Sequence, residues 1–261
     1  MLWLEMTGPE VALAAKKVGV AILPIGATER HGDHLPVGMD TLTVTNICAK
    51  AVDKEDAVIF PTVFTGMNTE LRHAPGSISV RPELIMQYLE EICDEIGRNG
   101  FAKIILVSGH GGNRYMLPQL VMNTLDSEKP YVLYYVSGYN FDPKVGEKVL
   151  ETKVHAHACE CETSVGLHLF PQLIHMDRVP DKPVESQKPV YLEGIYSNID
   201  WFASFSENVS GEPGKATPAK GKALFNSMID RLADAIRRVK KDNRGPKLLK
   251  AFYKRVSKVG K

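Results

Sequence analysis

The 261-residue chain reads as an α/β protein, a three-layer α/β/α sandwich with a mostly parallel central sheet. Three observations predict this. Short apolar runs alternate with helix-period stretches along most of the chain, the order that builds parallel strands joined by crossover helices. The runs read as buried strands, as in a sheet covered on both faces. The two segments richest in histidine, carboxylate and glycine each follow a strand directly, and ligands of open α/β sheets bind beyond the carboxyl ends of the strands.

Taken in order, Gly19–Ile25 is a buried strand that stops at Gly26. Asp40 is placed to cap a helix running to about Val52, with Leu42, Val44, Ile47 and Cys48 as its apolar positions. Ala57–Phe60 is a short strand closed by Pro61. Pro82–Arg98 is an amphipathic helix with Leu84, Ile85, Tyr88, Leu89, Ile92 and Ile96 on one face and Gly100 beyond its end. Lys103–Val107 is a strand leading into Ser108-Gly109-His110-Gly111-Gly112-Asn113, followed by a helix over Arg114–Leu125 and a strand over Tyr131–Val136. Glu160–Phe170 is helical. The last long helix runs from Pro218 to about Lys241 behind Thr217 as N-cap, with Phe225, Met228, Ile229, Leu232 and Ile236 facing inward.

Residues 180–220 carry Pro, Gly, Ser and Asn with little periodicity, but also Trp201 and Phe202. A loop of that length is either disordered or a wall or lid over a site, and its aromatics favour the second, in a single domain spanning 1–261. The basic tail from Arg237 to Lys261 reads as a solvated helix end and a frayed terminus. A formal net charge of +1 gives no sign of a nucleic-acid or membrane partner. No apolar run approaches membrane-spanning length and the N-terminus lacks a basic leader region, so the expected compartment is the cytoplasm. Cys48, Cys93, Cys159 and Cys161 form no C-x-x-C pair and are expected to be reduced.

Five of the eight histidines fall in three short segments. In the first, Glu29 and His31 stand two apart in an extended or turning stretch, and Asp40 can return a carboxylate to the same point. Imidazole and carboxylate together suit Zn, Mn, Fe or Co, and a carboxylate can bridge two ions. The structural alternative is a polar turn with a capping Asp40. In the second, His110 sits just past a strand between glycines that let a ligand approach the backbone. The spacing fits neither G-x-G-x-x-G nor a Walker loop, which disfavours a phosphate cradle. In the third, His157, Glu160 and Glu162 lie at a loop-to-helix junction. One acid could complete a metal shell, and the other, or His157, could move protons. An exposed acidic helix start is the alternative.

These strings resemble the creatininase (creatinine amidohydrolase) family. The resemblance is carried by Pro24-Ile25-Gly26-Ala27-Thr28-Glu29-Arg30-His31-Gly32-Asp33-His34-Leu35-Pro36 with Asp40, by Ser108-Gly109-His110-Gly111-Gly112-Asn113, and by His157-Ala158-Cys159-Glu160-Cys161-Glu162-Thr163-Ser164. Pro75-Gly76-Ser77 and Gly211-Glu212-Pro213 with Ala216-Thr217 and Lys220-Gly221 extend it over about residues 20–225. It implies an α/β/α fold, assembly as a homohexamer, and two divalent ions per subunit. By position it implies Glu29, His31, Asp40 and His110 as ligands, with Asp40 bridging. Glu162 becomes the further carboxylate and His157 the acid/base residue. The expected reaction is metal-assisted hydrolysis of a cyclic amide or related C–N bond in a small polar substrate, with His157 and Glu160 moving the proton. Opening of a keto-inositol ring by C–C cleavage is the alternative chemistry, and a non-catalytic metal- or ligand-binding homologue the alternative class. Two departures stand out. Gly112 replaces a metal-binding glutamate of creatininase proper. Neither Trp3 nor Trp201 lies near His157 in sequence, where that enzyme uses tryptophans around its substrate, which argues against creatinine.

Overall fold

The computed structural model describes residues 1–184 and 194–259. One parallel sheet, ordered β2-β1-β3-β4, holds β1 (Val20–Ile25), β2 (Val58–Ile59), β3 (Lys103–Ser108) and β4 (Val132–Ser137). β1 and β3 pair along their whole length, from Val20↔Lys103 to Ile25↔Ser108. The helices in chain order are α1 (Gly8–Lys17), α2 (Met39–Val52), α3 (Pro82–Arg98), α4 (Asn113–Asn123), α5 (Pro143–Val149), α6 (Glu160–Leu169), α7 (Asp200–Ser204), α8 (Pro218–Lys241) and α9 (Arg244–Val256).

The period of two along each strand sorts its side chains into two cores. Val20 and Ile22 of β1 join Ile105 and Val107 of β3 beneath α2, α6 and α8. Ala21, Leu23 and Ile25 join Ile104 and Leu106 beneath α1, α3 and α4. The result is the expected α/β/α layering. All six residues of β1 are buried, which is why that segment is apolar without alternation.

This topology creates a crevice. The chain leaves β1 toward α2 on one face and leaves β3 toward α4 on the other. The two connections therefore part at the carboxyl ends of adjacent strands, the switch point where α/β sheets bind ligands.

Several local expectations are corrected. α2 begins one residue before Asp40, with Gly38 as the N-cap, so Asp40 is buried in the first turn and its carboxylate is not used for capping. On α3 the inward stripe is narrower than expected: Ile85, Leu89, Cys93 and Ile96 are buried, while Leu84 and Tyr88 stay exposed. The basic tail is not simply frayed, because α9 forms there and Tyr253 donates its hydroxyl to the carbonyl of Ser127 at 2.6 Å. α1, α5 and α7 add to the helices that the sequence predicts. Of the stretch read as a lid, residues 185–193 lie outside the described residues; the rest includes α7 and a bridge that pairs Ser210 with His157. No helix among the described residues is long and apolar enough to cross a membrane.

Candidate metal centre

The segment after β1 turns back on itself so that Glu29 and His31, both fully buried, face the start of α2. Asp40 reaches them because Gly109, just past β3, has no side chain: a Cβ there would lie 2.6 Å from both the Asp40 carbonyl oxygen and the Val44 Cβ. The close approach of α2 to the end of β3 thus depends on glycine at that position.

Asp40 is the hub. Its Oδ1 lies 3.2 Å from His31 Nε2 and its Oδ2 lies 3.0 Å from His110 Nδ1. Glu29 Oε1 approaches His110 Nδ1 at 3.2 Å, and Glu162 Oε2 stands 3.9 Å from His31 Nε2. Two ligand triads with a shared member result, Glu29–Asp40–His110 and His31–Asp40–Glu162. His157 makes a third grouping with Glu29 and His31, its Nδ1 being 3.7 Å from Glu29 Oε1.

The backbone orients each imidazole. His31 Nδ1 donates to the Glu29 carbonyl at 3.1 Å, His110 Nε2 to the Met67 carbonyl at 2.7 Å, and His157 Nε2 to the Arg30 carbonyl at 3.0 Å. A carbonyl can only accept, so the proton sits on the outer nitrogen and a lone pair of each neutral ring faces the cluster. This is the arrangement expected of metal-binding histidines.

The cluster is poorly satisfied by the protein alone. Both carboxylate oxygens of Glu29, Oδ2 of Asp40 and Nε2 of His31 are buried without a well-formed hydrogen bond among the described residues. Burial works against charge on His31, yet Asp40, Glu162 and Glu29 raise its pKa to about 10. His110 is likewise raised despite its burial, by Glu29 and Asp40. Burial, with Asp40 adding repulsion, lifts Glu162 to about 7. Protons thus hold together a set of carboxylates that in water would separate. Oxygen and imidazole donors converging around unsatisfied buried carboxylates fit divalent cations, which would supply the missing charge.

Glu162 enters through a strained turn. Ala158 adopts φ of 48°, a left-handed conformation costly for a residue with a Cβ, and its amide donates to Glu162 Oε2 at 2.6 Å. Glu160 is not brought to the cluster. It accepts from the amides of Glu151 and Thr152 and from Lys220 Nζ at 2.5 Å, and these partners hold its pKa low against burial. The proton-moving role expected of it therefore has no geometric support.

Trp201 corrects a second expectation. The antiparallel bridge between His157 and Ser210 folds the segment bearing α7 back over His157, and the Trp201 ring meets it edge-on with centroids 5.6 Å apart. A tryptophan does stand beside His157; its distance along the chain concealed it. Around the metal centre opens a cavity of about 270 Å³, walled by Met67, Leu71, Tyr115 and Trp201 and edged by Glu70, Arg114 and Asp200. His73 lies between the Glu70 turn and the segment after α7, its Nδ1 3.1 Å from the Glu70 carbonyl and its Nε2 3.0 Å from the Ser206 carbonyl. The sequence carried no signal for Arg114 or Tyr115 beyond their nearness to His110.

A parallel α/β sheet with a His–carboxylate cluster at its switch point defines a metal-site enzyme class, and comparison supplies the family. The profile of creatininase, described as creatinine amidohydrolase, matches residues 4–236. The chain belongs to the creatininase family of hydrolases. It is 29% identical over 241 residues to a mycofactocin precursor peptide peptidase of Mycolicibacterium smegmatis, covering 87% of this chain and 88% of that protein. It is 26% identical over 258 residues to a 3-dehydro-scyllo-inosose hydrolase of Thermotoga maritima, covering 89% and 81%. A solved structure of creatininase with Mn superposes with a TM-score of 0.79 at 23% identity, covering 92% of this chain and 99% of that one.

Proposed function

We propose that the protein is a dinuclear metal-dependent hydrolase that cuts a C–N bond at a carbonyl carbon of a small polar substrate. The observation that supports this most is the split use of Asp40, one oxygen toward each of two histidines that belong to different triads. Glu29 and His110 would hold one ion, His31 and Glu162 the other, with Asp40 between them. Two divalent cations held there would supply Lewis acidity, activating a water and polarising the substrate carbonyl.

The chain's own residues do the rest. His157 presents a free Nδ1 to the same space while its Nε2 is fixed on the Arg30 carbonyl, so it can take a proton from the attacking water and return it to the leaving nitrogen. In the cation-free chain, burial, then the charge of neighbouring His31, lowers its pKa to about 3, so this ring is neutral there. Met67, Leu71 and Trp201 exclude water and strengthen the electrostatics of the site. Glu160 acts through structure, pinning residues 151–152 and α8 to the start of α6.

The test is metal removal and rescue. Chelator-treated protein is expected to lose hydrolysis of cyclic amides and short peptides and to regain it with Mn, Zn or Fe at about two ions per chain. The relative from Thermotoga maritima makes ring opening of a keto-inositol the other substrate for that panel. Full turnover by metal-free protein, or by Glu29→Gln, would sink the proposal.

A further inference from the structure

The metal cluster accounts for cleavage of an amide, and the remaining cavity wall bears on which amide is taken. Arg114 stands in the first turn of α4, four residues after His110, and edges the cavity. Among the described residues lining that cavity it is the one with a guanidinium or ammonium group. Its guanidinium carbon lies 4.7 Å from the centre of the Tyr115 ring, and Nη2 donates to the Tyr115 hydroxyl at 2.9 Å.

Arg114 is exposed, and that contact uses one of its five N–H donors, leaving the others to solvent or a ligand. No carboxylate among the described residues lies within ion-pairing distance of it. The turn beneath is rigid, because buried Asn113 accepts from the Met67 amide at 3.0 Å. The N-terminal end of α4 adds positive partial charge at the same place. A buried donor stands in the same wall: Trp201 Nε1 has no hydrogen-bond acceptor among the described residues. By contrast Asp200, an acid on the rim, already accepts from Ser197 Oγ at 2.6 Å.

We propose that Arg114 is a substrate-recognition residue, and that the substrate is an amide carrying a carboxylate close to the cleaved carbonyl. A guanidinium with free donors beside a metal centre matches a planar carboxylate bidentately, and the indole N–H offers a further donor to the same acceptor-rich molecule. A neutral cyclic amide would give the guanidinium no carboxylate to pair with. This inference rests on the hydrolase reading above.

The probes are succinic acid monohydroxamate and its carboxamide counterpart, which share a metal-anchoring hydroxamate and differ in the far carboxylate. Affinities are measured by calorimetry on Zn-loaded protein, with metal content determined in parallel. The carboxylate probe is expected to bind the natural chain about ten- to a hundredfold more tightly than the carboxamide. Arg114→Gln should abolish that preference at unchanged metal content, and Arg114→Lys should keep part of it. Equal binding of both probes by the loaded natural chain, or a preference that survives Arg114→Gln, overturns the role of Arg114 alone. If the protein takes up no cations and binds neither probe, the hydrolase reading falls and this one with it.

Discussion

His157 stacks on His31 with ring centroids 4.1 Å apart and planes 28° from parallel. Two buried rings in such contact do not both become imidazolium, since that would set two positive charges side by side. Asp40, Glu162 and Glu29 decide which one does, overcoming burial to raise His31 to about 10, while burial and then the His31 charge press His157 to about 3. The cation-free chain therefore places the imidazolium charge of this pair on His31.

One consequence is a pH-dependent metal affinity. A metal must displace the proton on His31, so cation binding at pH 7 should release protons and tighten as pH rises. Calorimetry in two buffers of different ionisation enthalpy measures the release, and none at pH 7 would contradict this charge state. The raised folded-state pKa of His31 also fixes a sign. Its contribution to the stability of stripped protein is complete below its ordinary value of 6.5 and is lost as pH rises through about 10. Thermal melts of chelated protein should accordingly fall across that window, and metal loading should restore them.

The triads separate the ligands by their effect. Glu162→Gln should lower metal content from about two ions per chain to about one, whereas Asp40→Asn should weaken both sites together, since a bridging carboxylate serves each ion. Elemental analysis of dialysed protein reads both. Identical metal content in the two variants would show that Asp40 does not bridge.

Gly112 cannot simply be exchanged for the acid found in creatininase proper. A Cβ at 112 would sit 2.1 Å from the Met67 carbonyl oxygen and 2.5 Å from His110 Nε2. Gly112→Ala is therefore expected to dislodge His110 from the carbonyl that orients it and to cost tenfold or more, on the order of 1.4 kcal/mol, in metal affinity. A metal titration of the folded variant checks this.

Trp201→Ala should leave metal content unchanged and lower kcat/KM by about tenfold, the scale expected from losing one aromatic contact and the wall it forms. Steady-state kinetics on any accepted substrate measures it. A matching loss of metal would instead place Trp201 in the support of His157 and the ligands.

Glu160→Ala should act on folding. It removes one of the two carboxylate partners of Lys220, which keeps Glu151, and the acceptor for two backbone amides, while leaving the ligand triads in place. Leaving those amide donors without an acceptor costs about 1–3 kcal/mol, visible in chemical denaturation at constant metal content.

Much of this was legible along the chain, because neighbouring residues carry it. The buried strands β1 and β3 announce themselves as apolar runs, and the residues gathered in the metal centre lie in the three segments rich in histidine and carboxylate. Adjacency could not choose between Glu160 and Glu162. Two residues apart on a helix are turned by roughly 200°, so only one can face the cluster, and the docking of α6 onto its neighbours decides which. Nor could it choose between the two readings of Asp40, helix cap or ligand, or show that Trp201 would fold back over His157. Residue type and local period determined the fold class and the chemistry on offer. The close approach of segments distant in sequence, made possible by the bare backbone at Gly109 and the bridge from His157 to Ser210, decided which groups share the site.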